Sequence, residues 1–174
     1  MAQYALDVVY KSDVTPWVTP DATHPIAMAY GFVRLDPTHT EIGEIVDLSI
    51  NAGDTVDFSI FDIAAQPTPI SGIVISVNDV TPPNTPNNPI RNVSPFGWPN
   101  GTKTFPTQPF THIPPNGYSS GCNMQAYGLT LGRFTAQPSP GTGRRVKIYD
   151  ITITITLTNG RVFQVDPEMD VMAE

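Results

Sequence analysis

The sequence predicts an all-β protein, a single antiparallel β-sandwich of jelly-roll or immunoglobulin-like layout with a long Pro-rich ordered loop. Three observations carry that expectation. Nineteen of the 174 residues are proline, about twice the ordinary share, and proline or glycine interrupts nearly every window long enough for a helix. Ile151, Ile153, Ile155 and Leu157 alternate with Thr152, Thr154, Thr156 and Thr158, a strict period of two that marks a half-buried strand. Other alternating runs, separated by turn residues, bring the total to roughly eight strands, enough for two packed sheets. A chain of this length forms one domain over residues 1–174, with enough chain to bury a core.

Taken in order, strands are expected at about 4–10 and 29–35. Leu48 and Ile50 lead into Asn51-Ala52-Gly53-Asp54, and Val56, Phe58 and Ile60 follow at alternate positions, which reads as a hairpin. Another strand is expected at about 72–78. The stretch from about 81 to 122 holds ten prolines and five aromatics, namely Phe96, Trp98, Phe105, Phe110 and Tyr118. A disordered linker is poor in aromatics, so this stretch reads as an ordered loop packed on the sandwich, with a short strand near 103–105. Strands follow at about 126–134 and at 145–149, the latter running into the Ile/Thr strand. Asn159-Gly160 then turns the chain into Arg161–Val165. A two-residue loop would set Phe163 and Val165 among the threonines, because a one-residue slip exchanges the faces of a strand. A three-residue loop, Thr158-Asn159-Gly160, pairs Ile155 with Phe163 and Ile153 with Val165, with Gly160 left-handed in a bulge. Pro167 is expected to end the returning strand or to sit on an edge.

Charge divides the chain unevenly. All sixteen acidic residues lie outside residues 80–149, which hold six of the nine basic ones: Arg91, Lys103, Arg133, Arg144, Arg145 and Lys147. The middle of the chain therefore supplies no carboxylate for a hard-cation site or an acid/base pair, and the molecule is expected to have two electrostatic halves. A net charge of −7 argues against nucleic acid as a partner. The N-terminal segment lacks a basic region followed by an apolar run, and no apolar stretch is long enough to span a membrane. Cys122 is the one cysteine, so no intrachain disulfide forms. Together these give the expectation of a cytoplasmic protein.

Catalytic constellations are sparse. His112 and Cys122 are ten residues apart and make a formal nucleophile and base, but no signature surrounds them, and a buried thiol beside a loop histidine is the plainer reading. Paired carboxylates for glycosidase chemistry would have to come from Asp36, Glu41, Glu44, Asp47, Asp54, Asp57, Asp62 and the C-terminal acids, and several of these fall at alternate or turn positions expected to face water. Blue copper needs a histidine after its cysteine, and none follows His112. Asp166, Glu168 and Asp170 are spaced by two and could offer oxygens to calcium, against the plainer reading of a polar edge. No cofactor and no metal are expected. Arg145 and Lys147 share one strand face, open to an anion, to a neighbouring subunit or simply to solvent. Sugar recognition fits the composition better, because aromatic faces cover apolar sugar patches while amides fix hydroxyls. Phe96, Trp98 and Asn100 lie within one short loop, and Tyr118 and Asn123 offer a second polar-aromatic group. The competing reading makes Phe96 and Trp98 the anchors that pack the loop down.

Several short motifs recur in one order: Leu6-Asp-Val-Val-Tyr10, His24-Pro25 before Tyr30-Gly-Phe-Val33, Ala52-Gly-Asp-Thr-Val56, Ile113-Pro-Pro-Asn116, and a closing Phe163-Gln-Val-Asp-Pro167. In these and in length the chain resembles the PixA/AidA-type inclusion-body proteins of Gram-negative bacteria. The Pro- and Asn-rich stretch departs from that pattern. The resemblance implies a small cytoplasmic β-sandwich without enzymatic activity, associated with inclusions and in some members with lectin-like sugar binding. The functional expectation is therefore a non-enzymatic protein that binds a glycan through Phe96, Trp98, Asn100, Tyr118 and Asn123, or a structural subunit forming homo-oligomers or higher assemblies, the acidic surface of one copy meeting the basic middle of the next. An enzyme built on His112 and Cys122 is the remaining alternative.

Overall fold

The computed structural model describes residues 1–15, 21, 23–37, 41–45, 47–82, 94–106, 111–112, 127–138 and 146–172, with backbone alone at 41, 42, 44, 111, 112 and 127. These residues form β1 (Gln3–Tyr10), β2 (Ile26–Ala27), β3 (Ala29–Leu35), β4 (Glu41–Ile45), β5 (Leu48–Asn51), β6 (Thr55–Asp62), β7 (Ile70–Asp79), β8 (Thr102–Phe105), β9 (Thr111–His112), β10 (Tyr127–Thr135), β11 (Val146–Leu157), β12 (Val162–Val165) and β13 (Glu168–Met172), with one 3₁₀ turn at Pro99–Gly101. The fold is all-β. The strands make two sheets. The first runs β4-β3-β1-β6-β10-β9, and in the second β11 is central, with β7 and then β8 on one side and β12 and β13 on the other, backed by β2 and β5.

The sheets are mixed, which corrects the purely antiparallel expectation. β1 pairs parallel with β6, β12 with β2, and β13 with β5. The cause is the path of the chain, which crosses between sheets several times. It leaves β1, visits β5 in the second sheet, and re-enters the first at the same end as β1. The turn Asn51–Asp54 is therefore a crossing, and no hairpin forms there: β5 lies beside β13 and β6 beside β1. Asp54 holds the crossing together. Its carboxylate, 4% exposed, accepts from Asn51 N at 2.9 Å and from Ala2 N at 2.6 Å, and Gly53 (φ 90) donates to the Ala136 carbonyl at 2.8 Å.

The two sheets share one core, a sandwich-like arrangement. The first sheet contributes Leu6, Val8, Phe32, Val56, Phe58, Ile60 and Leu129; the second contributes Leu48, Ile50, Ile73, Ile75, Val77, Phe163, Met169 and Val171. Ile151, Ile153, Ile155 and Leu157 are at most 1% exposed, while Thr152, Thr154 and Thr156 on the other face are half-buried. Each such aliphatic side chain contributes about 1.5–3 kcal/mol of transfer free energy. The hairpin register is the expected one: Ile155 faces Phe163, Ile153 faces Val165 and Thr154 faces Gln164. Gly160 is left-handed (φ 83), its N–H bonding the Leu157 carbonyl at 3.0 Å while Leu157 N bonds Arg161 O at 2.9 Å.

The returning strand β12 ends at Val165, just before Asp166-Pro167, but pairing with β11 resumes beyond it. Tyr149 faces Met169 in the register that sets Ile153 opposite Val165, so β12 and β13 are one strand interrupted at Asp166-Pro167. Pro167 still accepts from Ile151 N at 2.8 Å but has no N–H to return the bond, which explains a break without a change of course. The expected strands near 4–10, 29–35, 72–78, 103–105, 126–134 and 145–157 are all present. Short strands β2, β4 and β9 raise the total above the expected eight.

Candidate binding site

The sequence places Phe96, Trp98 and Asn100 in one loop, and the structure separates their roles. Ser94 Oγ accepts from Phe96 N at 3.0 Å, and Gln137 N donates to Pro95 O at 2.6 Å. These bonds seat the loop against the end of β10. Phe96 and Trp98 then point into the molecule, 8% and 7% exposed. Trp98 meets Phe134 edge-on at 5.0 Å, Phe96 at 5.2 Å and Phe58 at 6.0 Å; Phe134 continues to Phe105 at 6.1 Å. Five rings therefore join β6 and β10 of the first sheet to β8 of the second, closing the seam between the sheets. Edge-on contacts of this kind add to the area that the rings bury. Lys103 covers the outside, its ammonium 5.4 Å from the Phe134 ring centre and 5.7 Å from that of Phe105.

Phe96 and Trp98 are thus packing anchors, with no open ring face for a sugar to stack on. The sequence offered this reading as the alternative but did not identify Phe58 and Phe134 as the partners. Phe134 reaches the seam through a bulge. Leu129 faces Ile60, Phe134 faces Val56, and the register shifts between Thr130 and Gly132, where Gly132 has φ 139. Without the extra residue, Leu129 and Phe134 would point to opposite faces, five positions being odd.

Asn100 is different. It is exposed and is the one non-glycine residue with positive φ among those described (φ 52, ψ 29). Gly97 and Pro99 flank it on the exposed side, and Thr102 and Thr104 follow along the outer side of β8. Tyr118, Asn123 and Cys122 lie outside the described residues, as do Arg91, Arg144 and Arg145; the His112 side chain is likewise not described. The His112–Cys122 pairing is therefore not placed.

The remaining charged groups are mostly engaged. Arg133 grips Asp57 with two bonds, Nε–Oδ1 at 2.7 Å and Nη2–Oδ2 at 2.8 Å, and the carboxylate holds the guanidinium's pKa above its usual value. Lys147 bonds Asp79 at 2.9 Å. Burial pushes the Asp79 carboxyl up, but hydrogen bonds from Thr81 and Lys147 outweigh it and leave it below its usual range. Both pairs join a basic residue of the carboxylate-free stretch to an acid outside it. The expected electrostatic halves are thus stitched together where the structure describes them, and Lys147 is not a solvated cation.

Two acids, Asp54 and Asp62, are buried at 4% and 0% exposure. Asp166, Glu168 and Asp170 do not converge: no group of three His, Cys, Asp or Glu side chains among the described residues is arranged to hold a metal. An open depression of about 300 Å³ is lined by Asp47, Leu48, Glu168, Met169 and Asp170. In the exposed turn before β2, Asp21 Oδ1 accepts from Thr23 Oγ1 (2.7 Å), Thr23 N (2.8 Å) and His24 N (2.9 Å), which pulls its carboxyl down to about 2. His24 Nδ1 lies 2.9 Å from Thr23 Oγ1 and 3.3 Å from Asp21 Oδ1, so the three side chains close on one another in a self-contained exposed turn. No described helix is long and apolar enough to cross a membrane. Comparison with known proteins returns no matching family model, no matching curated protein and no matching solved structure.

Proposed function

We propose that the protein is a non-enzymatic recognition protein on a β-sandwich, binding a neutral glycan in a lectin-like manner through the polar outer side of the 94–101 loop. The observation that carries this reading is Asn100. A non-glycine residue in the left-handed region is held there at a cost, and such residues cluster at binding sites. Asn100 presents an exposed amide on a loop whose inner side is fixed by Phe96 and Trp98. A pre-ordered loop loses little entropy on binding. The neighbouring Thr102 and Thr104 add hydroxyls and no charge, which suits an uncharged, hydroxyl-rich ligand. In this reading Phe96 and Trp98 support the site from below, and Tyr118 and Asn123 supply its second half. The jelly-roll or immunoglobulin-like layout, the likeness to inclusion-body proteins and a cytoplasmic location away from nucleic acid and membranes belong to the same proposal.

A glycan-array screen tests it. The expected result is binding to neutral glycans that Asn100→Ala reduces at least about tenfold, equivalent to about 1.4 kcal/mol, with no more than the modest fall in melting temperature that alanine brings at positive φ. No hit on the array, or undiminished binding by Asn100→Ala, overturns it.

A second reading, a self-assembling subunit, rests on the far end of the second sheet. There Asp150 lies directly opposite Glu168, with Asp170 and Asp47 close by. Like charges so placed repel, and the basic surface of another copy would relieve them. Assembly of this kind would use faces and not edges. Edge strand β8 carries Lys103, whose ammonium caps the aromatic cluster, and Pro106 follows the strand, devices that discourage strand-to-strand pairing. Light scattering across a salt series tests this reading: oligomers at low salt that dissociate as salt rises support it, and a monomer at low salt refutes it.

A further inference from the structure

At the end of the sandwich carrying the β11–β12 turn lies a pair of buried polar side chains that the proposed binding surface does not use. Tyr10 and Asp62 are register neighbours on the parallel strands β1 and β6. Both are enclosed, Tyr10 at 4% exposure and Asp62 at 0%. The Tyr10 ring packs on Phe163 of the opposite sheet, with centroids 4.9 Å apart. Asp62 Oδ1 accepts from Ser12 N at 3.0 Å and from Ala64 N at 2.9 Å. Asp62 Oδ2 and the Tyr10 hydroxyl have no hydrogen-bond partner among the described residues. Burial, and then the charge of Asp62, push the phenol's pKa upward, so Tyr10 keeps its proton and remains a donor.

One buried group thus offers an O–H without an acceptor, and its neighbour offers a carboxylate oxygen without a donor. The two do not bond each other directly. Such groups are rarely left unmatched, since burial without a partner is costly. The matching chemistry accepts one hydrogen bond and donates another. We propose that Tyr10 Oη and Asp62 Oδ2 form a binding site for one ordered water, which accepts from the phenol and donates to the carboxylate.

The position of this site gives it a structural task. Ser12, held by Asp62, accepts from Thr68 N through its Oγ at 3.0 Å. Arg161 Nη1, from the β11–β12 turn, grips Ser12 O at 2.7 Å and Val14 O at 2.8 Å. Arg161, Ser12, Asp62, the water and Tyr10 then make a continuous polar chain from the second sheet to the first and back to Phe163. A water in such a place is part of the fold.

Thermal unfolding of the full chain separates this proposal from two orphaned groups. If the water bridges them, Tyr10→Phe takes away the water's donor and lowers the melting temperature by about 2–4 °C or more. If nothing joins them, Tyr10→Phe removes an unmatched hydroxyl and leaves the melting temperature unchanged or raised, which overturns the proposal. The double variant Tyr10→Phe/Asp62→Asn is expected to melt no lower than Asp62→Asn alone, because one relay is lost in both; additive losses count against it. Should Asp62→Asn fail to fold, Tyr10→Phe and a high-resolution crystal structure of the unaltered protein decide the matter. Density within hydrogen-bond distance of both oxygens supports the site, and a dry gap refutes it.

Discussion

Asp54 illustrates how one side chain can carry a connection between layers. Its two carboxylate oxygens take the Asn51 and Ala2 amides, and its own backbone bonds Asn51 O and Ala136 N. Asp54→Ala would leave those amides without their acceptor, at about 1–3 kcal/mol for each that water does not reach. Chemical denaturation should show that loss, and Asp54→Asn should recover part of it through its remaining carbonyl oxygen. In the sequence, Asp54 shows only as the last residue of the Asn51–Asp54 turn. An acid after Asn-Ala-Gly is the ordinary composition of an exposed turn, and nothing local records that the turn lies between sheets. Asp62 is similar, although Ile60-Phe61-Asp62 breaks the alternation that precedes it and is a visible sign of an unusual position. Residues whose role depends on local geometry were legible. Gly160 needed its left-handed conformation in either loop, and the apolar pairing of Ile155 with Phe163 chose between the two registers.

At the scale of the element, alternation locates strands but not their partners. The runs around Leu48–Ile50 and Val56–Ile60 were correctly strands, and the turn between them was correctly a turn. Whether two such strands pair or cross to opposite layers depends on which inner face each completes, and that depends on β13 and β1, distant in sequence. The bulge in β10 was hidden for a related reason. Leu129, Leu131 and Arg133 alternate as a regular strand would, and only the pairing with β6 shows that parity changes before Phe134. Trp98→Ala, which removes the ring that Phe134 meets by way of this bulge, should open the aromatic seam. The expected outcome is a loss in the range of a large buried aromatic, about 3–5 kcal/mol, with increased binding of a hydrophobic dye. Replacing Leu131 by Thr keeps the bulge and should cost far less.

For the whole molecule, the carboxylate-free stretch of residues 80–149 takes on a different meaning once folded. Its described strands are spread over both sheets, and its cations Arg133 and Lys147 find acids elsewhere in the chain. The neutral character persists at the loop around Asn100, where the proposed ligand surface lies. The buried tyrosines make the stability of the fold sensitive to alkaline pH. Burial, with the charge of Asp79, pushes Tyr149 up to about 12, and Tyr10 moves in the same direction. The folded state therefore holds these protons more tightly than the unfolded chain. Their contribution is complete below about pH 10, the ordinary tyrosine value, and is lost as pH rises toward the folded value. Denaturation midpoints should fall over that interval, and less steeply in Tyr149→Phe. Asp79 acts in the opposite sense: its contribution is present above the usual carboxylate range and is lost as pH falls below it.

The account turns on Trp98 as the anchor that closes the seam and holds Asn100 outward. The chain has two tryptophans, so the Trp17→Phe variant isolates the fluorescence of Trp98. The account predicts blue-shifted emission that acrylamide quenches poorly, unchanged by any glycan and shifting to the red only with global unfolding. Emission at the position of free tryptophan, readily quenched in the native protein and protected by a bound sugar, would contradict it.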